Sequence, residues 1–347
     1  MERINLSVHP KDAAAKILKT LSSKRAEDVL AKRFGIKGTG RHTLESIGKS
    51  YGITRERVRQ IEEAGMKSLA GNDEVQKELQ SMHPVFRNHL SNHGGVSEEK
   101  RYLNSLADAK FHPHINFLLS LGLPVRKAEE DEHHHHRWFV DDETLNKAQT
   151  VVSRVVDELD AKKAVVSEDE LAALFSNHAR EVFGEPKDEK SVKSYMSIAK
   201  TISRNPYNEY GLVSWPDINP RGVRDKAYVV LAKHEKPLHF TDVAKAINKS
   251  GWSQRKAHPQ TVHNELIKDA RFVLVGRGLY ALKQWGYEPG TVKDVLVSVL
   301  KQSSRPMSKD EITKKVLEKR MVKENTILLN LQDKKRFRRA EEGYTLV

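Results

Sequence analysis

The side chains of residues 54–60 carry the most specific chemistry in this sequence. Arginine can donate two hydrogen bonds to the O6 and N7 edge of guanine, glutamine can pair with adenine, and glutamate can accept from the cytosine amino group. Such groups in the first two turns of a helix fit the major groove of duplex DNA. An exposed charged helix without a partner is the alternative for such a run taken alone. The residues expected to contact bases are Arg55, Glu56, Arg59 and Gln60, and Arg57 suits a phosphate.

Two predicted helices position this run. The spacing of apolar residues predicts helices over residues 43–51 and 54–70, after two earlier helices over 13–21 and 26–34. Thr43 and Thr54 are suitable N-caps, and Gly52 permits the left-handed backbone of a tight turn. In the last helix Val58, Ile61 and Gly65 share one face, which we expect to be buried, so that the polar run projects outward.

Residues 13–70 resemble region 4 of the primary bacterial sigma factors. The resemblance is carried by EDVL at 27–30, RFGI at 33–36, TLESIG at 43–48 and GITRERVRQIE at 52–62. It implies that the helix over residues 54–69 enters the major groove of the −35 promoter element, with Thr54 and Arg57 on the DNA backbone. It also implies that the preceding helices touch the flap of RNA polymerase. We find no segment resembling sigma region 2, so we do not expect the protein to open a promoter as a sigma factor does.

The second half of the chain contains an internal repeat. Residues 230–247 recur as residues 299–316, and each copy ends in a predicted hairpin, with strands at 272–275 and 279–282 in the first and at 337–339 and 344–347 in the second. Three helices followed by a two-stranded ribbon make a winged helix.

Residues 222–285 resemble the HARE-HTH domain, a winged helix found in the delta subunit of RNA polymerase and attached to restriction and chromatin proteins. The matching motifs are PLHF at 237–240, TVHNEL at 261–266 and GRGLYAL at 276–282. The resemblance implies a polymerase or DNA partner. Because winged helices also dock on proteins, it leaves open which of the two this unit contacts.

Two weaker copies of the winged-helix pattern come earlier. Residues 167–171 resemble residues 308–312, and residues 95–140 hold the helices and strands of another unit. We therefore expect a mainly α fold with small β wings, in which a helix-turn-helix head is followed by tandem winged-helix domains. The expected domain limits are 1–80, 81–145, 146–220, 221–287 and 288–347.

Basic residues in the two C-terminal units are further candidates for phosphate binding. The run at 334–339 has five positive charges in six residues, which favours a polyanion over a solvated wing. The candidate DNA contacts are Arg271, Arg277, Lys334, Lys335, Arg336, Arg338 and Arg339, and nearby basic positions are Arg255, Lys256 and Lys268. Aromatic residues at repeat-equivalent places are expected in the cores: Phe272, Tyr280, Phe337 and Tyr344.

Several other signals do not indicate a catalytic or metal site. The four histidines at 133–136 could bind a divalent metal, but adjacent residues do not converge on one point, so we favour a flexible wing tip. The acidic cluster at 141–143 is better explained as a helix start than as a nuclease centre. The chain has no cysteine, which excludes disulfides, thiolate metal sites and thiol nucleophiles. We expect no cofactor, no metal ion and no catalytic residue.

Charge and hydropathy limit the kind of partner. The 347 residues carry a formal charge of +13, are 38% hydrophobic and include no apolar run long enough to cross a bilayer. Residues 1–90 and 221–347 are basic, whereas residues 91–220 are acidic. This distribution favours nucleic acid at both ends of the chain. With no signal peptide at the start, we expect a cytoplasmic, nucleoid-associated protein without membrane contact.

The sequence thus favours a transcription factor that binds double-stranded DNA through the helix over residues 54–69 and acts with RNA polymerase. One alternative is a DNA-binding module of a restriction or phage-defence system, as the HARE-HTH resemblance allows. The other is a protein that docks on polymerase without reading DNA. The target sequence, the direction of regulation and the oligomeric state stay open.

Overall fold

The chain is mainly helical and folds as two compact units. The computed structural model describes residues 9–38, 40–122, 125–252, 255–303, 305–340 and 343–347. Within them, helices are joined by small antiparallel sheets. The units are Met1–Ser203 and Arg204–Val347. The expected fold class, a helix-turn-helix head followed by tandem winged helices with small β wings, is confirmed.

The first unit begins with the head, residues 1–80. Its helices are α1 (Pro10–Lys19), α2 (Lys24–Phe34), α3 (Leu44–Tyr51), α4 (Arg55–Ala70) and α5 (Asp73–Gln80). Polar caps define where the described helices begin: Ser23, Thr43, Thr54 and Asn72 each accept a hydrogen bond from a backbone amide of the following turn.

A winged helix follows the head. Its elements are α6 (His83–Ser91), β1 (Val96–Glu98), α7 (Glu99–Leu106), a short 3-10 helix (Ala109–Phe111), α8 (His112–Leu119), β2 (Arg126–Ala128) and β3 (Arg137–Phe139). The strands form one antiparallel sheet in the order β1-β3-β2. The predicted strand at 123–127 begins at two residues that lie outside the described part of the chain.

Three longer helices complete the helical part of the first unit: α9 (Asp142–Lys162), α10 (Glu168–Phe183) and α11 (Glu189–Ile198). Asp141 caps α9, as expected for a helix start. Ser167 and Glu170 form a reciprocal capping box at the start of α10. The short strands β4 (Ile202–Arg204) and β5 (Tyr210–Leu212) come next in the chain.

The second unit holds the two repeated winged helices. The first copy has α12 (Val223–His234), β6 (Leu238–His239), α13 (Phe240–Ser250), α14 (Pro259–Lys268), β7 (Phe272–Gly276) and β8 (Leu279–Leu282), with sheet order β6-β8-β7. The second has α15 (Val292–Lys301), α16 (Lys309–Lys319), α17 (Glu324–Leu331), β9 (Phe337–Ala340) and β10 (Gly343–Leu346). An isolated bridge between Met307 and Tyr344 takes the place of β6 in the second copy.

The repeat follows from equivalent core positions. Phe272 and Tyr280 are buried in the core of the first copy, and Phe337 is buried in that of the second, where Tyr344 is half-buried and packs against the core. The aromatic residues predicted to be core are therefore core. Among the described residues, no helix is long and apolar enough to span a membrane.

Candidate nucleic-acid interface

The turn between α3 and α4 fixes the direction of the second helix. Gly52 ends α3 with a φ of 62°, in the left-handed region that glycine adopts without strain. The Ile53 amide then donates a 3.0 Å hydrogen bond to the Gly48 carbonyl. The Thr54 hydroxyl accepts a 3.1 Å hydrogen bond from the Arg57 amide and so starts α4. The predicted turn and both predicted N-caps are confirmed.

One face of α4 is buried in a small apolar cluster. Val29 of α2, Ile47 of α3 and Val58 of α4 form its centre, and each is at most 1% exposed. Ile61 packs against this cluster, and Gly65 is buried further along the helix. Burial of this face leaves the opposite side of the first two turns in solvent. We call this side the reading face, and its six residues are all exposed: Thr54, Arg55, Glu56, Arg57, Arg59 and Gln60.

Ion pairs along the helix organise the reading face. The Arg59 guanidinium donates to Glu56 over 2.6 to 3.1 Å and also pairs with Glu63. Arg57 donates a 3.0 Å hydrogen bond to the side-chain oxygen of Gln60. The hydrogen bond from Arg59 lowers the pKa of the Glu56 carboxyl, and Glu56 in turn raises the pKa of Arg59. Both groups therefore stay charged, and Arg59 must exchange a carboxylate for a base edge when it binds a base.

Contacts from α2 hold the two helices in place. Arg33 donates to Glu62 of α4 over 2.9 Å and to the His42 carbonyl over 2.8 Å. The Tyr51 hydroxyl donates to Asp28, which also pairs with Lys32 at 2.8 Å. Hydrogen bonds from Lys32 and Tyr51 lower the pKa of Asp28 to about 2. The sequence analysis did not assign these positioning residues, although the spacing of Asp28 and Lys32 is that of a helical ion pair.

The basic candidates of the second unit differ in their surroundings. Lys334, Lys335, Arg338 and Arg339 are exposed, and Arg277 is exposed at the turn between β7 and β8. Arg336 is also exposed and lies 3.6 Å from Asp294. Exposed positions are also taken by Arg255, Lys256 and Lys268.

Arg271 is the exception among these candidates. Its guanidinium lies 2.6 Å from Asp269 and 2.9 Å from Asp225, and it is 5.2 Å from the centre of the Tyr228 ring. The side chain is half-buried, and its two carboxylate partners raise its pKa. Arg271 therefore joins α12 to the segment before β7, and we leave it out of the proposed interface.

The third helix of each winged helix in the first unit is covered by its own chain. Helix α8 packs against α1 and α2, with the rings of Phe117 and Phe34 in edge contact at 5.3 Å. Helix α11 packs against β1, where Ser194 donates a 2.8 Å hydrogen bond to the Val96 carbonyl and Tyr195 a 3.1 Å bond to the Gly94 carbonyl. Neither helix can enter a DNA groove in this arrangement.

The four histidines at 133–136 do not form the free wing tip that the sequence analysis predicted. His134 pairs with Ala199 in an antiparallel bridge, and the backbone amides of His135 and Lys200 donate to carbonyls across it over 3.0 and 2.9 Å. The prediction of a flexible tip is wrong because strand pairing with the segment after α11 holds this loop. Among the described residues, no three histidine, aspartate or glutamate side chains are grouped closely enough to hold a metal ion.

The fold and the exposed face of α4 define a protein built from helix-turn-helix and winged-helix modules. Comparison with known families makes these modules specific. Residues 17–70 match the family described as Sigma-70, region 4. Residues 222–285 match the HARE-HTH family, described as a helix-turn-helix domain of ASXL and restriction endonuclease proteins. The chain therefore combines a sigma region 4 module with a HARE-HTH module, both of them DNA-binding helix-turn-helix types, and both resemblances are confirmed.

Similar curated proteins are sigma factors named "RNA polymerase sigma factor SigA". That of Lactococcus lactis subsp. cremoris is 47% identical over 53 residues, or 15% of this chain and 14% of the relative. That of Clostridium acetobutylicum is 45% identical over 69 residues, or 17% of this chain and 18% of the relative. The chain thus spans less than a fifth of the length of these relatives.

Proposed function

We propose that this protein is a sequence-specific transcription factor that reads promoter-like duplex DNA through the reading face of α4. The observation that carries the proposal is the division of α4 into a buried apolar side and a solvent-exposed side with three arginines, a glutamate and a glutamine. These groups can form hydrogen bonds with base edges, and phosphates can bind the free amides at the start of the helix. The proposal assigns no catalytic step to the chain.

The C-terminal wing supplies a second, sequence-independent grip in this proposal. Its cations lie on β9 and on the turn before it, whereas the third helix α17 has no lysine or arginine and exposes Leu329. Exposed cations on a wing suit the DNA backbone, which carries no sequence information of its own. We therefore assign DNA contact in this unit to Lys334, Lys335, Arg338 and Arg339.

RNA polymerase is the second proposed partner. The named relatives are polymerase sigma factors, and the resemblance assigns polymerase contact to the helices before α4. In this chain α8 covers part of α1 and α2. A polymerase contact through the head would therefore use the faces that α8 leaves open.

Selection of duplexes from a random library by the full chain, with and without RNA polymerase, tests the proposal. We expect the chain alone to enrich one motif, and polymerase to increase recovery of that motif. Recovery without any enriched motif would contradict base reading. Polymerase capture by a chain that shows no salt-sensitive DNA binding would favour a docking protein instead.

A further inference from the structure

A cavity of about 620 Å³ opens between the head and the first winged helix. Helix α1 and the segment after α2 form one side, and the 3-10 helix with the first turn of α8 forms the other. This volume is in the range of pockets that hold small organic ligands, roughly 300 to 1,000 Å³. The cavity is separate from the reading face, because none of the six residues of that face lines it.

The rim of the cavity is strongly basic. Four lysines line it, Lys11 and Lys19 from α1, Lys37 after α2 and Lys110 from the 3-10 helix, against a single carboxylate, Glu27. Lys37 is shared with Asp28, whose carboxylate lies 3.3 Å away. Such a concentration of ammonium groups favours a ligand with several negative charges.

The floor of the cavity is apolar and includes an aromatic ring. Leu18, Ile36 and Phe111 line it, and Phe111 is half-buried with its ring 4.5 Å from that of His9. An aromatic face at the floor can pack against a flat ring of a ligand. A purely inorganic anion would leave this part of the surface unused.

His114 gives a second indication of a ligand. It lines the cavity and is only 6% exposed, yet neither ring nitrogen has a hydrogen-bond partner among the described residues. Buried polar groups are normally satisfied by protein, water or ligand atoms. A ligand with polar atoms on its ring would provide the missing partner.

We propose that this cavity binds a nucleoside polyphosphate, with the phosphates among Lys11, Lys19 and Lys110 and the base on Phe111 next to His114. The inference does not depend on the reading of DNA by α4. Because the two sides of the cavity come from the head and the first winged helix, a bound nucleotide would strengthen this junction and raise the thermal stability of the first unit.

Calorimetric titration of the full chain in EDTA tests the proposal, with ATP, inorganic tripolyphosphate and adenosine as probes. We expect saturable binding of ATP that is tighter than that of tripolyphosphate, and weak binding of adenosine. Equal affinity for ATP and tripolyphosphate would overturn the proposal, because the base would then make no contact. Absence of saturable ATP binding would overturn it as well.

Variants locate the site. Removing two cations of the rim in the Lys11→Gln/Lys110→Gln double variant should weaken ATP binding about five- to tenfold. The Lys162→Gln/Lys315→Gln double variant makes the same change of charge at exposed positions elsewhere and should bind ATP as the unaltered chain does. Phe111→Leu should weaken ATP binding and leave tripolyphosphate binding unchanged. If Arg55→Ala/Arg57→Ala, and not the rim variant, abolished ATP binding, the nucleotide would bind the reading face and the proposal would fail.

Discussion

Gly48 and Ile53 are in direct backbone contact across the turn between α3 and α4. The Ile53 amide donates a 3.0 Å hydrogen bond to the Gly48 carbonyl, and a Cβ atom at Gly48 would lie only 2.7 Å from the Ile53 carbonyl oxygen. No side chain fits between these two segments. The approach sets the angle at which α4 leaves the turn, and therefore the direction of the reading face.

Substitution of Gly48 by alanine tests this contact. Because the added methyl group would meet a backbone oxygen, the turn must open, and we expect Gly48→Ala to lower the free energy of unfolding by about 1 to 3 kcal/mol. Gly71→Ala is the matched control, since a Cβ there would have ordinary contact at 3.5 Å. Chemical denaturation followed by circular dichroism gives both values. Equal stability of the two variants would contradict the close approach.

The Asp28 carboxylate should make the head less stable in acid. Its pKa is about 2 in the folded chain, below the ordinary value of 3.8, because Lys32 and Tyr51 hydrogen-bond to it. A lowered folded-state pKa stabilises the fold above the unfolded pKa, and this contribution is lost as the pH falls from about 4 through about 2. We expect Asp28→Asn to cost about 1 kcal/mol at pH 7, after allowance for solvent screening, and nothing at pH 2.

Denaturation of the unaltered chain and of Asp28→Asn over this pH range measures the difference. Tyr51→Phe, which removes one of the two hydrogen bonds to the carboxylate, should give a smaller difference in the same direction. A difference between the unaltered chain and Asp28→Asn that does not change with pH would show that the ion pair contributes nothing to stability.

The C-terminal wing should contribute affinity without sequence preference. If Arg338 and Arg339 each bind a phosphate, the double variant Arg338→Ala/Arg339→Ala should weaken binding to all duplexes equally. The slope of log affinity against log salt concentration should fall by about 2, since each lost phosphate contact removes about 0.9. Fluorescence anisotropy at several salt concentrations measures the slope. An unchanged slope would remove the wing from the interface.

Arg271 should behave differently from the exposed wing arginines. Because it joins Asp225 and Asp269, we expect Arg271→Ala to lower the stability of the unit Arg204–Val347 by about 1 kcal/mol and to leave the salt slope of DNA binding unchanged. Arg277→Ala, at an exposed turn, should change stability by less than about 0.5 kcal/mol. A reduced salt slope for Arg271→Ala would restore this residue to the interface.

The head could be predicted because its signals are local. A threonine before each helix, Gly52 between them and apolar residues at helical spacing act over a few positions, and the predicted helices at 43–51 and 54–70 differ from α3 and α4 by one residue at the start. The hairpin after α14 was equally accessible, since turn glycines and alternating apolar residues lie next to each other in the sequence.

The packing of modules against one another could not be predicted in this way. Helix α11 ends at Ile198, earlier than the predicted residue 203, because Ala199 takes an extended conformation and pairs with His134. Contact between segments so far apart in sequence leaves no periodic pattern in either. The contact between Phe117 and Phe34 is of the same kind, and it shows why the third helices of the first unit looked like free winged-helix elements in the sequence.

Affinity of the Arg59→Ala variant for matched and scrambled duplexes is the most direct measurement of base reading by α4. On the duplex that the unaltered chain selects, the variant should lose about 1 to 3 kcal/mol, and its preference for that duplex over a scrambled one should fall. Lys67→Ala, which removes a cation from a later turn of α4, should keep the preference. If Arg59→Ala discriminates between the two duplexes as well as the unaltered chain does, α4 does not read bases through this arginine.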